Sequence, residues 1–182
     1  MTRIGRTLAA LGGALTLLLA GTGIAEARFG QLADGFESNP GALWHIETLG
    51  SGQGGFDYDN GTQRSGRGNG WLHSGYSSSA AAAMGTWAYL GNGGISHCNA
   101  EVQVNPLNNR SQEISIEVRN SANGFVATGE RYLAYPGYQT ISLAFDLSGY
   151  QSIYVRYLLM DSGRGFDGEW VRLDDFVLTC WP

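Results

Sequence analysis

The chain has 182 residues, 28 of them glycine and only four proline, with 15% charged and 12% aromatic side chains and a formal net charge of −5. Apolar residues recur along its whole length, which excludes a disordered polymer, and glycine without a G-X-Y period or sustained heptads excludes collagen and coiled coil. All eleven basic residues are arginine and none is clustered, so neither nucleic acid nor an anionic membrane is an expected partner.

Arg3 and Arg6 precede an apolar run from Leu8 to Ala20, and Ala25-Glu26-Ala27 then supplies a small-x-small cleavage pattern. The run of thirteen residues is shorter than the roughly 17 needed to cross a bilayer. Residues 1–27 are therefore read as a signal peptide, and 28–182 as one secreted, extracellular domain, expected to be a monomer. Removing Arg3, Arg6 and Glu26 leaves nine basic and fifteen acidic residues and a net charge of −6.

Within that domain the apolar period is two. Strands are expected near 43–49, 70–76, 85–90, 100–105, 114–119, 125–133, 141–145, 153–159 and 169–179, with Ile114, Ile116 and Val118 against Ser115, Glu117 and Arg119 as a clear example. Turn signals such as Asn39-Pro40-Gly41, Asn123-Gly124 and Pro136-Gly137 separate them. Nine or so short strands mean an all-β sandwich or barrel. Ala80 to Met84 offers at most one helical turn, and the Gly50–Gly70 stretch reads as a long irregular loop, the place to look for ligands. Cys98 and Cys180 are the only cysteines, and in an exported chain they are expected to form a disulfide.

The last strand poses a problem. In strict alternation Phe176 and Leu178 share a face with Asp174, while Val171, Leu173 and Val177 share theirs with Asp175. One acid must point inward, or the strand must bulge. A buried carboxylate needs donors, an arginine or a cation, and outside the cell the available cation is calcium. Glu37 stands next to Phe36 in the same situation. First and last strands of antiparallel sandwiches commonly lie side by side, so Glu37 and Asp174 are expected to share one calcium, with carbonyls near Ser65 and Gly66 completing the shell. The competing reading pairs either acid with Arg172 or uses it to cap a loop. Asp57 to Gly61 is not a helix-loop-helix calcium loop, because its glycine comes one place early and the closing glutamate is missing.

Phe36-Glu37, Trp44, the segment GRGNGWL over 66–72, Gly85-Thr86-Trp87 and VRLDDFVL over 171–178, in that order, resemble the galactose-binding-like jelly rolls, above all the carbohydrate-binding modules of secreted bacterial glycanases. The resemblance implies an antiparallel jelly-roll β-sandwich of eight to ten strands. It also implies a structural calcium on Glu37 and Asp174, and a sugar site on a sheet face or at the loop tips. Adhesive sandwich domains share the Phe-Glu start, so other secreted proteins are the alternative partners.

The expected function is non-catalytic binding of a polysaccharide or glycan. Sugars are held by aromatic faces and planar polar groups. The candidate ligand face is Gln103, Glu117, Arg119, Tyr154 and Arg156, with Trp71, Tyr76, Trp87 and Trp170 as possible platforms. An enzyme on the same sandwich would need two acids across a cleft. Glu101 and Glu117, read as lying on neighbouring strands, are the only outward pair with suitable phase. No Gly-x-Ser-x-Gly elbow is present, and His45, His73 and His97 show no triad spacing. No catalytic residue is assigned.

Overall fold

The computed structural model describes residues 30–77, 79–91, 94–107, 112–133, 136–147, 149–161 and 168–182. The expected signal peptide lies outside them. Eleven strands follow one another: β1 (Gly30–Asp34), β2 (Trp44–Leu49), β3 (Gln53–Tyr58), β4 (Gly68–His73), β5 (Ala81–Tyr89), β6 (His97–Pro106), β7 (Gln112–Asn120), β8 (Phe125–Leu133), β9 (Gln139–Asp146), β10 (Ser152–Met160) and β11 (Trp170–Trp181). They form two antiparallel sheets. One runs β3-β4-β11-β6-β9 with β1 added alongside β11, and the other runs β2-β5-β10-β7-β8. This is the expected jelly-roll β-sandwich.

Two strands escape the sequence reading. β1 has only five residues, and β3 carries Gly54 and Gly55, which contribute no apolar period. Those glycines are needed for packing. A Cβ at Gly54 would lie 2.9 Å from Cγ2 of Ile46, and one at Gly55 would lie 2.7 Å from the Trp71 indole. Half of the supposed Gly50–Gly70 loop is therefore strand. Ala81 to Met84 is strand as well, buried throughout. Alanines here fit between β2 and β10, and tertiary packing overrides their helix propensity.

The core lies between the sheets. Ala100, Val102 and Val104 of β6, Ile114, Ile116 and Val118 of β7 and Ile153, Val155, Tyr157 and Leu159 of β10 are all buried, following the predicted alternation. An aromatic cluster joins the sheets: Trp44 packs on Phe36 at 4.9 Å between ring centroids and edge-on against Phe176 at 5.1 Å. Asp34 fixes this cluster by accepting the Trp44 indole N–H at 2.7 Å and the Phe36 amide at 2.8 Å.

β11 resolves its two-acid conflict with a bulge. Asp174 pairs with Gln103 and Val177 with Glu101, so Asp175 and Phe176 together oppose Val102, and Asp175 takes a positive φ of 46°. The extra residue resets the alternation. Val171 and Leu173 face inward before it, and Phe176, Leu178 and Cys180 after it. Past the bulge, β11 exchanges β4 for β1 as its neighbour on one edge, while β6 accompanies it on the other.

Cys98 and Cys180 form the expected disulfide, joining directly paired positions of β6 and β11 with a Cα–Cα distance of 4.1 Å. It closes a separation of 82 residues, for which loop entropy predicts about 4.5 kcal/mol. Thiol titration of the denatured, unreduced protein should find no free cysteine, and reduction should lower the urea midpoint. Two titratable thiols, or an unchanged midpoint, would contradict the bridge.

Candidate functional site

The outer face of the five-stranded sheet assembles four of the five predicted ligand residues. Register places Trp87 of β5, Tyr154 of β10, Arg119 of β7 and Phe125 of β8 directly opposite one another, in one row across four strands. At strand spacing this row is about 14 Å long. Its ends are exposed aromatics, Trp87 at 47% and Phe125 at 62%, and its middle is the nearly buried Tyr154 at 8%. The next row carries His45, Gly85, Arg156, Glu117 and Thr128.

A hydrogen-bonded network stiffens the floor. Glu117 Oε2 accepts Arg156 Nε at 2.7 Å and Arg119 Nη2 at 3.1 Å. Glu47 of β2 accepts the Tyr154 hydroxyl at 2.7 Å and pairs with the second arm of Arg156. Arg119 also donates to Asn123 at 2.8 Å and stacks over the Phe125 ring at 4.3 Å. Burial works against the charge of Arg156, but its bonds to Glu117 and Glu47 outweigh this and hold the guanidinium above its ordinary pKa. Burial, with the bond to Glu47 and its charge, pushes the Tyr154 hydroxyl up as well, so it remains a donor. Charges cancel within the network, leaving a planar polar floor between two aromatic ends.

Glu47 and Gly85 shape this face, and the sequence pattern does not single out either. Glu47 was legible as an outward-phase acid between Ile46 and Thr48. Gly85 gives Tyr154 its place: a Cβ there would lie 2.4 Å from the phenol Cζ and 2.8 Å from Cβ of Arg156.

Two predicted groupings do not form. Gln103 lies on β6 in the other sheet, where its amide donates to Thr140 Oγ1 at 2.8 Å. Glu101 is on β6 too, whereas Glu117 is on β7 in the five-stranded sheet. Strands consecutive in sequence have crossed between sheets, so the outward faces of Glu101 and Glu117 point in opposite directions and enclose no cleft. The tryptophans divide likewise. Trp71 and Trp170 belong to the six-stranded sheet, where Trp170 stacks on His73 at 4.2 Å and Trp71 lies over Gly55. Their ring faces are taken up within the protein; Trp87 is the open platform.

The acids Glu37 and Asp174 converge on one loop. Glu37 accepts the amides of Arg67 at 2.8 Å and Gly68 at 3.2 Å. Asp174 is fully buried and accepts those of Arg64 at 2.7 Å, Ser65 at 3.2 Å and Asp175 at 2.8 Å. Ser65 also gives its hydroxyl to Asp175 at 2.6 Å. Arg172 turns away to Asp57 and Asn69, and Arg67 pairs with Asp59. Three carboxylates thus meet the loop, and the Arg64 side chain pairs with Asp175 among them. Burial raises the pKa of Asp174 against the opposing effect of its amide donors. Among the described residues no three His, Cys, Asp or Glu are grouped to hold a metal by themselves, so an ion here would need backbone carbonyls as well.

No family model matches the sequence, and no curated protein does. Solved structures do. The arabinose-bound MgGH51 α-L-arabinofuranosidase matches with a TM-score of 0.59 and 10% identity over 81% of this chain, which spans 24% of that enzyme's length. The K1 cleaved adhesin domain of Lys-gingipain from Porphyromonas gingivalis W83 matches at 0.57 and 13%, covering 82% of this chain and 97% of its own. TmCBM61, in complex with β-1,4-galactotriose, matches at 0.54 and 12%, covering 80% and 97%. Family 22, 4 and 11 carbohydrate-binding modules are similar too, at 0.55, 0.52 and 0.53. The fold is that of the jelly-roll carbohydrate-binding modules.

Gly85→Ala should displace the Tyr154 ring, break its bond to Glu47 and cost about 1–3 kcal/mol in urea unfolding. An unchanged midpoint with an unchanged near-UV spectrum would contradict this packing.

Proposed function

We propose that this chain is a secreted, non-catalytic carbohydrate-binding protein that takes a neutral glycan across the outer face of the five-stranded sheet. The observation that carries the reading is the row Trp87, Tyr154, Arg119 and Phe125. Exposed rings stand at both ends to stack on the C–H faces of sugars, and fixed donors and acceptors lie between them for hydroxyls. Internal charge pairing favours a neutral chain over an acidic one. The fold shared with the galactotriose-bound module and with a xylan-binding domain from Paenibacillus barcinonensis Xyn10C supports the same substrate class. The acids of the face serve to fix arginines, which argues against hydrolysis. Trp87→Ala should weaken retention by soluble polysaccharide in affinity electrophoresis by at least about tenfold, at 1.4 kcal/mol per decade. Retention equal to wild type would remove this face from the account.

We further propose a structural calcium held by Glu37 and Asp174 with the 64–68 loop. A cation would favour the charged form of Asp174, whose burial otherwise disfavours it. Chelation should lower the melting temperature of the wild type and leave Asp174→Ala insensitive. An identical wild-type curve with and without chelator would mean that the loop amides suffice.

A further inference from the structure

The six-stranded sheet carries a second row of sugar-binding chemistry at the end away from the β11 bulge. Trp181 of β11, His97 of β6 and Asp146 of β9 stand directly opposite one another across three adjacent strands. The Trp181 ring lies 6.4 Å from that of His97, tilted by 31°, and is 36% exposed. His97 Nδ1 meets Asp146 Oδ1 at 2.6 Å, which fixes the imidazole while both side chains stay exposed, at 47% and 86%. The row borders a groove of about 480 Å³ at the β8 and β9 edge, where Leu143 and Phe145 turn toward the core. An indole, an imidazole and a carboxylate thus border a space at the small end of ligand-site volumes. Of the other rings on this sheet, Trp71 and Trp170 are stacked within the protein, whereas Trp181 is half open.

We infer that Trp181, His97 and Asp146 form a second binding site, for a single neutral sugar ring at a chain end or branch. The inference rests on the glycan-binding reading of the opposite face. Its acidic member, with no arginine among the described lining residues, disfavours an anionic ligand, and one indole beside a small groove fits one ring rather than an extended chain. Because the two rows lie on outward faces of opposite sheets, they cannot engage neighbouring residues of one glycan. A molecule using both would bridge two glycan strands and gain avidity on an immobilised polysaccharide.

The test is a titration of ¹⁵N-labelled mature protein with galactose, xylose, glucose and the β-1,4-linked galacto- and xylo-trioses, following the indole N–H signals of Trp87 and Trp181. The expected result is saturable movement of the Trp181 signal that persists in Trp87→Ala and weakens by at least about tenfold in Asp146→Ala, a loss of roughly 1.4 kcal/mol. Folding of each variant is read from the rest of the spectrum. Should Asp146→Ala fail to fold, Asp146→Asn, which keeps the shape and removes the charge, serves in its place. Movement of Trp87 with none of Trp181 in any sugar would overturn the second site and leave the first reading intact. A spectrum silent at both indoles would overturn both.

Discussion

Strand β11 brings Leu173 and Phe176 into the same core from positions three apart, which a regular strand of period two cannot do. One inserted residue makes it possible, and much of the architecture depends on that insertion. At the bulge β11 changes partner from β4 to β1, so the chain's first strand can close the sheet beside its last. The same local twist sends Asp174 into the 64–68 loop, where backbone amides receive it, and presents Asp175 to Ser65 and Arg64. Phe36, two residues past β1 and its Asp34 clasp, then packs on Trp44, which in turn meets Phe176 in the centre of the core. A fold element and an anion-handling loop are thus consequences of one extra residue.

The five-stranded sheet is built on another principle. Its inner side is mostly apolar, with Thr86 and Gln112 as buried exceptions, but its outer side buries a polar network almost as deeply, with Glu117 and Tyr154 each 8% exposed. Buried carboxylates and guanidinium groups are tolerated only when each is paired, and here Glu117 and Glu47 hold Arg119, Arg156 and Tyr154 between them. That arrangement contributes rigidity more than net stability. For a ligand made of hydroxyls and weakly apolar ring faces, rigidity is the useful property, because side chains already immobilised lose little entropy on binding.

Much of the fold was legible because period-two alternation survives wherever a strand buries one face, as at Ile114 to Arg119. It failed where the reasons for a residue were not periodic. β3 is written in glycines whose purpose is to admit the Trp71 ring and the Ile46 methyl, and nothing in their own sequence announces a strand. The alanines of β5 carry helix propensity, which packing between two neighbours overrides. Site residues were legible by type and phase, not by sheet. Glu117, Arg119, Tyr154 and Arg156 share one face since β7 and β10 pair, whereas Gln103 and Glu101 lie on the other sheet since the step from β6 to β7 crosses the sandwich. Such crossings depend on contacts distant in sequence, to which a local pattern is blind.

The proposed function requires that a glycan lie on this protein without being cut. Purified mature chain should be passed over insoluble and soluble polysaccharides that include β-1,4-galactan and xylan, and the same mixtures assayed for reducing ends. The account predicts retention on at least one polysaccharide with no release of reducing sugar. Release of reducing ends, or passage through every polysaccharide without delay, would contradict it.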